Sequence, residues 1–259
     1  MKIREVIEII EEKYPLSLQA DFDNSGLKCG NVNSNLSGIL ITLDTNLEII
    51  EEAKSKNCNL IIEHHPTIFN PLYELDFNNP KTNILFHCLK NDICLYSAHT
   101  NVDFATDGLN DYFLKQLLCV PIEVSLIEPT GCFRVGTLEK ETNLRTYVEQ
   151  LQLIFNEKLL FFGDENKIIK TVACSNGAAG NENNVFLTNT IADVFISSEF
   201  KHSALMLAKT LNYAIIQLSH FATESGFLDL IFKMLIQKVN HDIVFKSKLN
   251  SNPLRGLET

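Results

Sequence analysis

Apolar runs that alternate with helix-period segments constrain this chain more than any other feature. Residues 38–43, 59–62 and 93–98 are short apolar stretches, the pattern of strands buried on both faces. Between and around them, residues 46–56, 81–90 and 108–118 read as helices, with Asp44, Thr45 or Asn46 as the cap of the first of these. Ile3, Val6, Ile7 and Ile10 repeat at helical spacing, and that helix must stop before Pro15. Strands alternating with helices in this way imply a largely parallel sheet with helices on its faces.

The second half repeats the rhythm. Strands are expected over 135–138, 158–162, 168–174, 193–196 and 213–218, and helices over 144–154, 200–210 and 224–239. Pro121, Pro129 and Gly131 break the pattern, which places a boundary between residues 121 and 131. The expected fold class is therefore α/β: two intimately packed α/β halves, 1–125 and 126–259, with largely parallel or mixed sheets flanked by helices.

Composition narrows the function classes. Hydrophobic residues make up 45% of the 259-residue chain and charged residues 21%, enough to bury a full core and too apolar for disorder. No apolar run approaches the roughly 20 residues of a membrane span, and the acidic N-terminal segment lacks a signal-peptide h-region; the expectation is a cytoplasmic protein. The net charge of −10 repels phosphate backbones and argues against nucleic acid as a partner. The seven cysteines include no Cys-x-x-Cys pair, so reduced, buried thiols are expected rather than a thiolate zinc site.

The chemistry gathers at strand ends. His64-His65, His99 and His220 each follow an expected strand, where open α/β sheets bind ligands. Adjacent strand residues point to opposite faces, so His64 and His65 can serve one site only if the chain leaves the strand there. Pro66 supplies that break; otherwise one imidazole is buried and the other exposed. His99 and Asp103 lie four apart in an expected loop and offer imidazole and hard oxygen, a mixture suiting Zn, Mn or Fe(II). Asp103 or Asp107 could instead cap the next helix, and Asp107 fits that role better. His220 and Glu224 are spaced to share a helical face, although Thr223 could cap a helix with Glu224 in its first turn. These groups exceed the needs of one tetrahedral ion and suit two ions roughly 3.5–4 Å apart. The loop Cys174-Ser-Asn-Gly-Ala-Ala-Gly could cradle an anion, but it lacks the Lys-Ser/Thr of a P-loop. Cys174 has no identifiable base to make it a nucleophile. His87, His202 and His241 read as structural or surface residues.

Several of these segments resemble the GTP cyclohydrolase I type 2, or Nif-three-like, family: Asp23-Asn-Ser-Gly-Leu, Leu60-Ile-Ile-Glu-His-His-Pro-Thr-Ile-Phe, Ala98-His-Thr-Asn-Val-Asp, Gly108-Leu-Asn-Asp and Ser219-His-Phe-Ala-Thr-Glu. They run in the family's order and span most of the chain, which looks like a short member without an inserted domain. The resemblance implies a dinuclear site at the cleft between the halves, with His64 and Asp103 on one ion, His65 and His220 on the other, and Glu224 bridging. It also implies a homohexameric ring and opening of the guanine ring of GTP, with formate release, by metal-activated water. His99 is then a proton shuttle. Glu63 departs from the family's small or uncharged residue and could add charge near the metals or point to the opposite face. Ser197-Ser198-Glu199 lacks the glycine of a Thr-Gly-Glu stretch, and Ser219 replaces a common glycine. Two readings follow: a dinuclear metal-dependent hydrolase acting on a small molecule such as a nucleotide, or a non-catalytic metal carrier or interaction scaffold with the same ligands.

Overall fold

In a computed structural model, residues 1–122, 132–249 and 252–253 are described; most of the boundary expected between residues 121 and 131 lies outside them. The chain is mixed α/β, with two sheets flanked by helices, and it divides into two compact units. The first holds Met1–Ala105 and Phe227–Ser251, the second Thr106–Gly226 and Asn252–Thr259.

The first unit contains α1 (Ile3–Lys13), β1 (Gly26–Cys29), β2 (Ile39–Thr42), α2 (Leu47–Ser55), β3 (Leu60–Glu63), α3 (Pro80–Lys90), β4 (Cys94–Ser97) and α4 (Thr100–Phe104). Asn46 caps α2 by accepting from the Ile49 N–H at 2.9 Å, which satisfies one of the donors a helix start leaves open. The sheet order is β1-β4-β3-β2, with β2, β3 and β4 parallel and β1 antiparallel to β4. Strands β2, β3 and β4 are buried along their whole length, as their unalternating apolar runs require. Leu40, Ile61 and Leu95 pack against Ile49, Ile50 and Ala53 of α2 and Leu85 of α3.

The second unit contains α5 (Leu109–Gln116), β5 (Cys119–Pro121), β6 (Arg134–Asn143), α6 (Leu144–Phe155), β7 (Leu160–Phe162), β8 (Ile168–Cys174), α7 (Glu182–Asn189), β9 (Val194–Ser197), α8 (His202–Thr210), β10 (Ala214–Gln217) and α9 (His220–Glu224). Its sheet runs β5-β6-β8-β9-β10-β7, with β8, β9 and β10 parallel. Both faces are covered. Val172, Val194, Ile196 and Ile216 pack with Leu144, Tyr147 and Leu151 on one side. Ala173, Phe195 and Ile215 pack with Ala204 and Ala208 on the other.

The single closing helix expected over 224–239 is two: α9, and α10 (Gly226–Leu235). Phe227, Ile231 and Leu235 of α10 are fully buried. The last strand, β11 (Val244–Lys246), pairs in parallel with β2 and completes the first sheet at its far edge. Among the described residues, no helix is long and apolar enough to cross a membrane. All seven cysteines are free, and Cys58, Cys88, Cys94, Cys119 and Cys174 are buried.

Candidate metal centre

In each sheet three adjacent parallel strands release the chain at the same edge, and the chemistry-bearing residues follow them. In the first unit Asp44 follows β2, His64-His65 follow β3 and His99 follows β4. In the second, the Ser175–Gly177 stretch follows β8, Glu199 follows β9 and His220 follows β10. Crevices beyond the carboxyl ends of parallel strands are where α/β sheets present ligand groups.

The first unit brings three imidazoles together. Ring centroids are 5.0 Å apart for His64 and His65, 5.0 Å for His64 and His99, and 5.8 Å for His65 and His99. Each offers a ring nitrogen within 4.8 Å of the others, so the group could hold a metal ion. Asp103 joins them, its Oδ1 3.6 Å from His64 Nε2. His64 is fully buried, with its ring 4.7 Å from that of Phe227.

The chain leaves the strand at His64, as the pair requires. The N–H groups of His64 and His65 both reach the Leu43 carbonyl at 3.0 Å, and Pro66 has no N–H to place. The expected loop after His99 is instead the short helix α4, with His99 at its N-cap. His99 and Asp103 are therefore one helical turn apart. Asp107 does not cap the next helix: it takes a left-handed φ of 54°, and Gly108 stands at the cap position without a side-chain bond.

In the second unit Ser219 caps α9 by accepting from the Ala222 N–H at 3.1 Å. The helix thus starts at His220, and Glu224 lies one turn further on, its Oε2 3.0 Å from His220 Nε2. This displaces Thr223 from a capping role: its hydroxyl donates to the His220 carbonyl and accepts from the Gly177 N–H. Glu224 is almost fully buried.

Four histidines share one feature. Nδ1 of His64 lies 2.9 Å from the Ala98 carbonyl, that of His65 2.9 Å from Asp44 Oδ1, that of His99 2.7 Å from Asp23 Oδ1, and that of His220 2.9 Å from Glu199 Oε1. Carbonyl and carboxylate oxygens only accept, so Nδ1 carries a proton in each ring, and Nε2 is the atom turned toward the neighbouring histidines and carboxylates. Metal-ligating histidines are oriented this way by their outer partners. The donor set, imidazole Nε2 with buried carboxylates, fits a divalent ion of the Zn, Mn or Fe type.

Asp23 is the most heavily bonded of these partners. Besides His99 it accepts from the Asn24 N–H at 2.7 Å, the Ser25 hydroxyl at 2.9 Å, the Thr100 N–H at 3.1 Å and the Thr100 hydroxyl. Burial alone would raise its pKa, but the His99 bond and charge and the Thr100 and Asn24 bonds outweigh that and hold the carboxyl well below the usual range. Sequence alone does not mark Asp23, Asp44 and Glu199 as His partners. Asp23 and Glu199 lie in segments that figure in the family resemblance, but as acidic residues in turns all three read equally well as caps.

One further expectation changes, that for the loop after β8. The first three N–H groups of the loop after β8 are not held out to an anion: Ser175 donates to the Ile196 carbonyl at 3.1 Å, Asn176 to Asn110 Oδ1 at 2.8 Å and Gly177 to Thr223 Oγ1 at 3.0 Å. Glu63 is fully buried and accepts from Thr67 and Ser97. Cys174 is also fully buried, and burial pushes its thiol far up, away from nucleophilic use.

The fold and these groups define a mixed α/β protein whose His and carboxylate clusters could hold a metal. The family model described as Duf34/NIF3 (NGG1p interacting factor 3) matches residues 1–253, and the chain belongs to that family. It is 30% identical over 230 residues to a Clostridium acetobutylicum protein named GTP cyclohydrolase 1 type 2 homolog, covering 86% of this chain and 85% of that one. A Clostridium perfringens protein of the same name is 30% identical over 250 residues, 95% of each chain. Among solved structures, the Staphylococcus aureus hypothetical protein SA1388 superposes with a TM-score of 0.87 at 23% identity over 99% of both chains, which shows a common fold.

Proposed function

We propose that this protein is a dinuclear metal-dependent hydrolase of a small molecule, with His64, His65, Asp103, His220 and Glu224 as metal ligands. The observation that carries this reading is the shared orientation of the histidines: Nδ1 is tied to an oxygen in all four, so that Nε2 is the atom that would ligate an ion. Two bound divalent ions would supply Lewis acidity and bring the deprotonation of water close to neutral pH.

The chain's own residues do the rest. Asp23 fixes His99 with its lone pair on Nε2, so His99 is set to accept a proton there and return it to a leaving group. Asp44 and Glu199 hold the rings of His65 and His220 in orientation. Ala98 does the same for His64 through its carbonyl.

The names of the relatives favour a guanine nucleotide as substrate, with ring opening at C8 and release of formate. A homohexameric, cytoplasmic form belongs to the same reading. The test is turnover of a nucleotide panel by protein of defined metal loading, with Glu224→Gln as control. Formate release from GTP that Glu224→Gln abolishes supports the proposal. Tight metal binding with no turnover across the panel favours the second reading, a metal carrier or scaffold.

A further inference from the structure

We propose that Glu63 is a positioning residue, whose buried carboxylate staples the turn that carries His64 and His65. Its second readout below rests on the metal reading; its first does not.

The backbone donors of this turn can be accounted for one by one. After β3 ends at Glu63, the N–H groups of His64 and His65 go to the Leu43 carbonyl. Pro66 has none. The next N–H, that of Thr67, has left the ladder, and Glu63 Oε1 meets it at 2.8 Å. The Thr67 hydroxyl donates to Glu63 Oε2 at 2.7 Å. The same carboxylate reaches the neighbouring strand, where the Ser97 hydroxyl donates to Oε1 at 2.7 Å.

These bonds close a circuit around His64. The Ala98 N–H donates to the Glu63 carbonyl at 2.9 Å, and the Ala98 carbonyl lies 2.9 Å from His64 Nδ1. Side chain and main chain of Glu63 therefore fix both sides of the imidazole: the turn it sits on and the acceptor that sets its tautomer. Glu63, His64 and Ser97 are fully buried and Thr67 nearly so, so each lost acceptor leaves a donor that water cannot reach.

Hydrogen bonding, rather than charge, is what the staple supplies. In Glu63→Gln the amide oxygen can still accept from the Thr67 N–H and Ser97, and the Thr67 hydroxyl can turn to accept from the amide. Glu63→Leu fills the volume and removes every acceptor.

The full-length wild type and both variants are compared by imidazole ¹⁵N–¹H spectra without metal, and by titration with Zn²⁺ alone. For Glu63→Gln, the His64 and His65 signals stay in place and Zn²⁺ affinity stays within about threefold. For Glu63→Leu those two signals shift while exposed His202 and His241 do not, and affinity falls roughly ten- to a hundredfold. Unshifted His64 and His65 signals in folded Glu63→Leu overturn the proposal. So does a Glu63→Gln variant as impaired as Glu63→Leu, which would assign the effect to charge. Should Glu63→Leu not fold, Ser97→Ala removes one bond to Oε1, and unmoved His64 and His65 signals there also overturn it. If the wild type takes up no Zn²⁺, the metal reading fails, and the spectra still decide the role of Glu63.

Discussion

Gly177 lies against Glu224 so closely that a Cβ built on it would stand 2.6 Å from the Glu224 Oε1. The glycine has a φ of +64°, a left-handed conformation that costs an L-residue about 1–2 kcal/mol. Its carbonyl accepts from the Ser198 hydroxyl at 2.6 Å and its N–H donates to Thr223 at 3.0 Å, so the backbone cannot back away without breaking both bonds. Gly177→Ala is therefore expected to push the Glu224 carboxylate aside. The variant should remain folded with a lowered melting temperature, and its affinity for Zn²⁺ should fall about tenfold or more. Thermal melts and metal titration read the two effects separately; unchanged affinity would show that Glu224 does not depend on this contact.

The Asp23–His99 pair gives a second expectation. Asp23 is fully buried at its side chain and accepts from donors on Asn24, Ser25, His99 and Thr100. Asp23→Ala should cost at least about 2 kcal/mol in urea unfolding, because the Asn24 and Thr100 N–H groups lose their acceptor. Asp23→Asn keeps one oxygen where the carboxylate offers two, Oδ1 to Asn24 and His99 and Oδ2 to Thr100, so it should cost less than Asp23→Ala and still fold. It removes the carboxylate charge that orients the His99 ring, so catalytic turnover should drop about tenfold to a hundredfold with circular dichroism unchanged.

Acid stability has a specific contributor in the second unit. Asp193 Oδ2 accepts from the Lys170 N–H at 2.9 Å, the Thr171 N–H at 2.7 Å and the Thr171 hydroxyl at 2.8 Å. Partial burial raises its pKa, but these bonds and the Lys167 charge outweigh that and leave it lowered. A folded-state pKa below the unfolded value of about 3.9 contributes stability that is fully present above that value. The contribution is lost as pH falls through the folded value. Asp193→Asn should lower unfolding free energy by about 1 kcal/mol at pH 7, and the gap to wild type should close as pH falls through the lowered folded-state value. A gap of constant size in denaturant titrations across that range would contradict the assignment.

How much of this could be read beforehand depended on local chemistry. Strands β2, β3, β4, β9 and β10 are buried on both faces, as is β8 over its last three residues, so their apolar runs announce them. Strand β1 does not: it is four residues long, begins at a glycine with a φ of +100°, carries a register shift and follows a turn-rich loop. Helix α7 reads Glu-Asn-Asn-Val-Phe-Leu-Thr-Asn and buries only Val185 and Thr188, too little for a helical stripe. The return of β11 to β2 rests on a three-residue strand and a pairing far apart in sequence. At the site, His64, His65, His99 and His220 stood out because they end strands. The oxygens that fix their tautomers did not, since contacts such as His99 with Asp23 are 76 residues apart and leave no local pattern.

The proposed ligand set is tested most directly by counting ions. Purified protein, reconstituted under reducing conditions, should hold close to two divalent ions per chain by elemental analysis. Glu224 is buried one helical turn from His220, with Oε2 3.0 Å from His220 Nε2, and in the proposed reading it contacts both ions. Glu224→Gln keeps the volume and removes the charge that offsets two dications, so both ions should weaken together and hydrolysis should vanish. His64→Ala removes an imidazole beside Asp103 and should weaken chiefly one ion, leaving a stoichiometry near one. Loss of a partner from a buried charged cluster costs roughly 3–5 kcal/mol, which is a factor of a hundred or more in affinity. Folded Glu224→Gln that keeps two tightly held ions would rule out a bridging role, and wild-type protein that takes up none would remove the metal reading itself.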